Sequence, residues 1–227
     1  MLKFQNRFQK NNHQVPQNFF NSHEFLQQEK KFLEKNSLIK ITENDQVIID
    51  IPYSRNDNFC HIQLYSHPFV YLHKTAYQNL KEIIEEAKKQ DLKIKIWDCF
   101  RPFAVQAFMT DKFPEFVRDG YVSHPNDGIA THVRGIAIDL TLVKNNLDLP
   151  MGTQFDSMEL KAHHDSPEIS AEENFNRQIL IKLMTNHGFE IYENEWWHFN
   201  LSSPTQYPKI MENFLDLLSN EVKNFLT

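Results

Sequence analysis

Two short stretches of the chain contain residues that could bind a metal ion. His132 and Asp139 lie seven residues apart in the first stretch, and Glu195 and His198 lie three apart in the second. His132, Asp139 and His198 would supply two imidazoles and one carboxylate, which suits a catalytic zinc ion with a position left for water. Glu195 would remain as a carboxylate able to take a proton from that water. The pattern therefore favours metal-assisted hydrolysis.

A third stretch, Trp97 to Pro102, adds a cation. Arg101 in this stretch stays charged at any relevant pH and could stabilise the oxyanion formed during peptide hydrolysis. Each of these residues also has a simpler explanation, since one His–Asp pair is a weak indication of a metal and arginines commonly form surface salt bridges. His163, His164 and Asp165 form a second cluster whose composition suits a metal.

Predicted strands position two of these residues, Arg101 and Asp139. Residues 92–97 alternate apolar and polar side chains, which predicts a strand that leads to Arg101 at a strand–helix junction. Residues 136–143 form another predicted strand. Within it, Asp139 faces away from the isoleucine and leucine side chains. Asp139 is therefore expected outside the apolar face of the sheet.

Glu195 and His198 lie in a predicted hairpin, with strands over 189–192 and 195–201 joined by a turn. Positions three apart in a straight strand face opposite sides of the sheet. Both side chains can therefore reach one pocket only if the strand is irregular next to Asn194.

The other predicted elements follow from hydrophobic periodicity, capping residues and breakers. The predicted helices begin near Asn21 or Ser22, extend over 74–90, run from Pro102 to about Met109, follow the capping box at Ser170 and end at Gly188, and cover about 208–225. The predicted strands cover 47–51 and 59–65, and residues 150–167 are predicted to be irregular.

Composition narrows the classes of function. The chain has 227 residues, enough for one sizeable core, and its formal charge of −6 argues against a nucleic-acid partner. It contains no run of eighteen apolar residues, so no membrane partner is expected. The N-terminus lacks the apolar segment of a signal peptide, which predicts a cytoplasmic location. Residues 1–20 are polar and are expected to be loosely held.

The chain has two cysteines, Cys60 and Cys99, which are too few for a disulfide framework. Reduced thiols are the expectation, although the two could form one bridge. The sequence gives no signal about the oligomeric state.

Five ordered segments, spread from about Tyr53 to Asn200, carry a family resemblance. They are Asp57-Asn58-Phe59, Trp97 to Pro102, His132 to Asp139, Pro150 to Asp156, and Glu195 to Phe199. Together they resemble the D-alanyl-D-alanine dipeptidase family, the VanX-like zinc peptidases, which belongs in fold with the DD-carboxypeptidases and the Hedgehog signalling domain. The resemblance implies an α+β fold with a central, mainly antiparallel sheet flanked by helices.

The resemblance also implies an activity and roles for the residues. It implies one Zn²⁺ per chain on His132, Asp139 and His198, and hydrolysis of D-alanyl-D-alanine to two D-alanines. Glu195 is implied as general base toward water and as general acid toward the leaving amine. Arg101 is implied to stabilise the transition state. The expected partner is therefore a small D,D-dipeptide.

The chain departs from the family pattern beside these residues. Ala130 stands where the family has a serine, so a hydroxyl expected near the substrate is missing. Phe100 stands where the family usually has a tyrosine, and Cys99 replaces a glycine or alanine. Thr131 is predicted to contact substrate, and Asp156 is predicted to meet the ammonium group of the dipeptide.

Three parts of the chain are predicted: an N-terminal extension over 1–40, a zinc dipeptidase domain over 41–203, and a C-terminal helix packed on the domain over 204–227. Two alternative functions stay open. One is a peptidoglycan carboxypeptidase or endopeptidase of the same superfamily, which would work outside the cytoplasm. The other is a non-catalytic, zinc-stabilised binding module, which would need neither Glu195 nor Arg101.

Overall fold

The computed structural model describes residues 17–227. The α-helices are α1 (His23–Lys35), α2 (Lys74–Lys88), α3 (Phe103–Lys112), α4 (Pro114–Arg118), α5 (Ala171–Asn186) and α6 (Asn220–Phe225). The strands are β1 (Leu38–Lys40), β2 (Ile48–Ile49), β3 (Tyr71–His73), β4 (Lys93–Asp98), β5 (Ala137–Lys144), β6 (Leu147–Asp148), β7 (Phe189–Tyr192) and β8 (Glu195–Leu201). Most of the polar segment over 1–20 lies outside the described residues.

The central sheet has the strand order β2-β4-β5-β8-β7, and β6 pairs with β5. Strands β2 and β4 run parallel, whereas the other pairs in this sheet are antiparallel. Helices α2 and α5 pack against the sheet and against each other. The predicted α+β class with a mainly antiparallel sheet flanked by helices is therefore confirmed. Strands β1 and β3 form a separate antiparallel pair that was not predicted.

The helices that cover the sheet form for reasons visible in the sequence. Helix α2 carries its apolar side chains at three- and four-residue spacing, and they are buried. Helix α5 begins with a capping box, in which Ser170 accepts from the Glu173 backbone N–H and Glu173 accepts from the Ser170 backbone N–H. It ends before Gly188, whose φ of +80° is accessible to glycine without steric cost.

One hydrophobic core extends through the described residues and includes both ends of this part of the chain. Phe25 in α1 stacks on Phe214, with ring centroids 5.5 Å apart. The apolar face of β5, with Ile138 and Leu140, lies in the same core, as predicted. Asp139 points to the other face of the strand. The predicted part boundaries at residues 40 and 204 stay a prediction.

The predicted long C-terminal helix over 208–225 is wrong. Only α6 is helical at this end, preceded by a single 3₁₀ turn at Leu215–Leu217. Outside these two short elements, backbone groups of the segment bond to distant parts of the chain. The Ile210 N–H donates to Val133 O at 2.9 Å, and the Ser66 N–H donates to Leu217 O at 2.9 Å. Non-local backbone partners therefore replace the helical hydrogen bonds that the apolar spacing had suggested.

The predicted strand over 59–65 is also wrong, because this segment is made of turns and a single bridge between Tyr65 and Leu218. The N–H groups of Leu64 and Tyr65 both donate to Tyr53 O. The Asn58 side chain donates to three carbonyls around it. Local side-chain and backbone hydrogen bonds therefore replace a ladder.

Cys60 and Cys99 are buried free thiols, as expected. None of the helices in residues 17–227 combines the length and the apolar content needed to cross a lipid bilayer.

Candidate metal centre

His132, Asp139 and His198, here called the metal trio, come together on one side of the sheet. The candidate ligand atoms of the three side chains all lie within 4.8 Å of one another. His198 Nδ1 lies 3.0 Å from Asp139 Oδ1 and 3.1 Å from His132 Nε2. Two ring nitrogens and a carboxylate therefore converge on one point.

The other ring nitrogen of each histidine fixes which nitrogen faces that point. His132 Nδ1 lies 2.6 Å from the Cys99 carbonyl oxygen, which only accepts, so Nδ1 carries the proton and Nε2 presents a lone pair. His198 Nε2 lies 3.4 Å from Thr131 Oγ1, which leaves Nδ1 directed at Asp139. Outer partners of this kind orient metal-binding imidazoles.

Backbone pairing places the metal trio. Asp139 in β5 is paired directly with His198 in β8, so their side chains share one face of the sheet. His132 lies in a single 3₁₀ turn that ends at Gly135, with φ +66°. A Cβ at Gly135 would come within 2.6 Å of a Leu38 methyl group. Glycine therefore permits the turn that brings His132 over the start of β5.

A bulge in β8 brings Glu195 to the same pocket. Ile191 of β7 pairs with Phe199, but the next residue, Tyr192, pairs with Glu195. Three residues of β8 thus intervene where β7 has none, which allows positions three apart to reach the same side. Glu195 Oε2 lies 3.9 Å from His198 Nδ1. The irregularity predicted next to Asn194 is present.

Arg101 follows β4 and is buried beside the metal trio. Its Nε and Nη2 lie 3.0 and 2.9 Å from Asp98 Oδ2, and its Nη2 lies 3.8 Å from Asp139 Oδ2. Its Nη1 donates to Gln106 Oε1 at 3.0 Å. The pairing of β4 with β5 skips Trp97, because Ile96 pairs with Leu140 and Asp98 pairs with Asp139. This bulge lets the Asp98 side chain face the site. The arginine is therefore held from two sides.

Asp156 lies in the irregular segment after β6 and faces the same cavity. Its φ of +60° is in the left-handed region, which is uncommon for residues other than glycine. Tyr53 Oη donates to its Oδ1 at 3.0 Å, while its Oδ2 is buried without a partner. One carboxylate oxygen is thus fixed, and the other has no hydrogen-bond partner within the protein.

Burial and crowding of negative charge dominate the electrostatics of the site. Burial, together with Asp139 and Asp156, raises the pKa of Glu195 well above its usual range. Burial also raises the pKa of Asp156, with Arg101 acting in the opposite direction. Burial alone would raise the pKa of Asp139, but the neighbouring His132 and His198 keep it below its usual range. A bound cation would relieve this crowding.

A cavity of about 290 Å³ opens onto these side chains. It is lined by the metal trio and by Thr131, Glu195, Arg101, Asp156, Tyr53 and Gln106, among others. The volume lies close to the lower end of the range of roughly 300–1,000 Å³ for ligand clefts. The donor set and the facing lone pairs fit zinc, and the cavity provides the open position that a catalytic zinc site has.

The rival cluster does not form a comparable group. His163 Nε2 lies 3.2 Å from Tyr121 Oη, and both ring nitrogens of His164 are buried without partners. In residues 17–227, the metal trio is the group of three metal-binding side chains found close together. Ala130 is buried at the cavity wall, so the wall lacks a hydroxyl at that position.

Sequence reasoning assigned no role to Asp98, Tyr53 or Gln106, which contact Arg101 or Asp156. The spacing of three between Asp98 and Arg101 was the one signal available for any of them. Tyr53 and Gln106 reach the site through the tertiary fold, and their positions in the sequence give no comparable signal.

A buried His–Asp–His trio facing a cavity with an extra carboxylate and an arginine fits a metal-dependent hydrolase. Comparison with known proteins gives the family. Residues 35–217 match the family described as D-ala-D-ala dipeptidase, so the chain belongs to this peptidase family. The resemblance drawn from the five motifs is therefore confirmed, and the protein is an enzyme.

Two proteins to which this chain is similar are named D-alanyl-D-alanine dipeptidase. The D-alanyl-D-alanine dipeptidase of Escherichia coli K12 is 33% identical over 172 residues, covering 75% of this chain and 87% of the relative. That of Enterococcus faecium is 35% identical over 144 residues, covering 55% and 69%. The solved structure of the LdcB LD-carboxypeptidase is similar with a TM-score of 0.39 and 19% identity, covering 68% and 69% of the two chains.

Proposed function

We propose that this protein is a zinc-dependent dipeptidase that hydrolyses D-alanyl-D-alanine to two molecules of D-alanine, with one Zn²⁺ per chain on the metal trio. The observation that carries the proposal is the convergence of the metal trio, Glu195 and Arg101 on one cavity of small volume. The relatives named D-alanyl-D-alanine dipeptidase support the choice of substrate.

Zinc held by the metal trio would supply an activated water molecule and a Lewis acid for the peptide carbonyl. Glu195 is not one of the three ligands, and its Oε2 lies 3.9 Å from His198 Nδ1. It accepts a proton from the attacking water at a carboxylate oxygen and donates it to the nitrogen of the leaving D-alanine. Proton transfer by one positioned carboxylate contributes roughly 10²–10⁴-fold to the rate.

Arg101 stabilises the negative charge that develops on the carbonyl oxygen. Its guanidinium is held by Asp98 and Gln106 before substrate binds. The negative charge on this oxygen is larger in the transition state than in the substrate, so the arginine stabilises the transition state more. A donor that is already positioned also requires no rearrangement during the reaction.

Asp156 binds the ammonium group of the dipeptide through Oδ2, which has no partner within the protein. Tyr53 holds the other carboxylate oxygen and thereby the orientation of the group. We expect Asp156→Ala to raise the KM for D-alanyl-D-alanine, and an unchanged KM would exclude this role. Contact between Thr131 and substrate stays a prediction, because its hydroxyl lies against His198 Nε2.

The test is the release of D-alanine from D-alanyl-D-alanine by the zinc-loaded protein. Glu195→Gln keeps the shape of the side chain and should lower kcat by about 10²-fold or more, with the zinc content unchanged in elemental analysis. Glu193→Gln, in the turn of the same hairpin and outside the cavity lining, is the matched control and should retain activity. Normal turnover by Glu195→Gln would exclude the mechanism.

Assays of the same zinc-loaded protein distinguish the two alternative functions. Faster turnover of a muropeptide than of the free dipeptide would indicate a peptidoglycan carboxypeptidase or endopeptidase. Stoichiometric zinc with no turnover of either substrate would indicate the non-catalytic binding module. The cytoplasmic location expected from the sequence stays a prediction.

A further inference from the structure

The irregular segment that carries Asp156 is attached to the helix that follows it. Arg177 in α5 is 1% exposed and donates to three carbonyl oxygens of this segment. Its Nε reaches Met151 O at 2.7 Å, its Nη1 reaches His163 O at 2.6 Å, and its Nη2 reaches Lys161 O at 2.9 Å. Residues 150–163, which include all three carbonyl groups, are here called the 150–163 loop.

Further contacts hold the same loop against α5. Asn176 Nδ2 donates to Pro150 O at 2.9 Å, one residue before the first Arg177 contact. The Arg177 guanidinium lies over the ring of Trp196, 5.8 Å from its centroid, and Trp196 Nε1 donates to Thr153 Oγ1 at 2.8 Å. Both ends of the 150–163 loop are therefore fixed to one helix, and Asp156 lies between them.

A guanidinium is suited to this task and an ammonium is not. Its planar fork offers five N–H donors in fixed directions, so three carbonyls at separate points of a loop can be bound at once. Burial of a charge is unfavourable unless hydrogen bonds compensate for the lost water. Each of the three nitrogens of Arg177 has such a partner.

The 150–163 loop needs external support, because Asp156 has a left-handed backbone conformation that costs free energy for a residue with a side chain. Tyr53 contacts the Asp156 carboxylate from the opposite wall of the cavity. We propose that Arg177 is a positioning residue that fixes the 150–163 loop and so holds the Asp156 carboxylate at the ammonium end of the cavity. This inference rests on the proposed dipeptidase function.

The variant Arg177→Lys keeps the positive charge but cannot reach all three carbonyls. Loss of one hydrogen bond to a charged group weakens binding by roughly ten- to a hundredfold. We expect Arg177→Lys to raise the KM for D-alanyl-D-alanine at least about tenfold and to change kcat much less, since Asp156 binds the substrate and the transition state alike. Asn176→Ala, which removes only the Pro150 contact, should show a smaller change in the same direction.

A double-mutant cycle with Asp156→Ala distinguishes this role from general destabilisation. If Arg177 acts through Asp156, then Arg177→Lys changes the KM little in the Asp156→Ala background. Leu180→Ala is the matched control, because it removes a buried side chain of α5 and none of the hydrogen bonds to the 150–163 loop. It should lower the thermal midpoint without raising the KM. Equal effects of Arg177→Lys in both backgrounds would overturn the inference.

A second measurement does not depend on turnover. Hydrogen exchange of the zinc-loaded Arg177→Lys protein should be faster than wild type in the 150–163 loop and unchanged in β4. Equal exchange in the loop would overturn the inference even if the KM rose. Absence of D-alanyl-D-alanine hydrolysis by the wild-type protein would instead overturn the proposed function, and with it the role of Asp156. Wild-type activity with an unchanged KM in Arg177→Lys would overturn the positioning role alone.

Discussion

Removal of the Asp98 carboxylate should destabilise the protein strongly, because it leaves a buried cation without its main partner. Asp98 is 1% exposed and lies 3.0 and 2.9 Å from Arg101 Nε and Nη2. Tyr65 Oη also donates to Asp98 at 2.8 Å. After Asp98→Ala, the nearest remaining carboxylate of Arg101 is Asp139 at 3.8 Å. Removing one partner of a buried ion pair typically costs about 3–5 kcal/mol.

For a chain of this length, 1 kcal/mol corresponds to roughly 2–4 °C in thermal midpoint. Asp98→Ala should therefore lower the midpoint by roughly 6–20 °C. Urea unfolding followed by circular dichroism measures the free energy directly, provided the dependence on urea concentration stays unchanged. Asp57→Ala is the matched control, since its ion pair with Arg55 at 2.8 Å is largely exposed and contributes at most about 1 kcal/mol.

The contribution of the Asp98–Arg101 pair to stability can be separated from the contributions of the two residues alone. In an Arg101→Met background, Asp98→Ala leaves no unpaired buried cation. It should therefore lower the free energy of unfolding clearly less than in the wild-type protein. A cost below about 1 kcal/mol in the wild-type background would refute the reasoning, because the pair would then behave like one at the surface. Equal costs in both backgrounds would refute it as well.

Three further outcomes are expected. Burial lowers the pKa of His67 to about 4. Between pH 4 and about 6.5 the unfolded chain therefore binds more protons than the folded protein. In urea unfolding, the free energy of unfolding should decrease as the pH falls through this window, and should decrease less in His67→Gln. In urea unfolding, Gly135→Ala should lower the free energy of unfolding by at least about 1–2 kcal/mol, because its φ is positive and its Cβ would come within 2.6 Å of Leu38. Gly128→Ala, whose Cβ would meet no atom within 4 Å, should be nearly neutral. Zinc at a thousand times its dissociation constant should stabilise the protein by about 4.1 kcal/mol, seen as a rise in thermal midpoint that a chelator reverses and that Asp139→Ala lacks.

The parts of the fold that could be predicted from sequence are those in which local pattern and tertiary environment agree. The spacing of apolar residues in α2 and the capping box at Ser170 are local, and both elements form as predicted. The segment over 208–225 has the same apolar spacing, but its backbone bonds to Val133 and Ser66. Periodicity marks which side chains are buried and does not determine whether the backbone between them is helical.

The same division applies to the site. The metal trio and Glu195 could be proposed from residue types and order, since the chemistry of zinc restricts its ligands to few residue types. The supporting residues could not, because a buried tyrosine or glutamine has many uses in a core. Tyr53 contacts Asp156 across 103 positions of sequence. Arg177 contacts three carbonyls of a loop whose conformation cannot be read from a local sequence pattern.

The direct pairing of Asp139 with His198 has a consequence for folding. Because successive side chains of a strand alternate between faces, a slip of one position between β5 and β8 would turn one of the two ligands away from the other. A misaligned sheet could then bind zinc only weakly, whereas the native alignment gains the full binding free energy. Zinc binding would therefore favour the native register of β5 and β8. Refolding in the presence of zinc should give a larger fraction of molecules with this register than refolding followed by zinc addition.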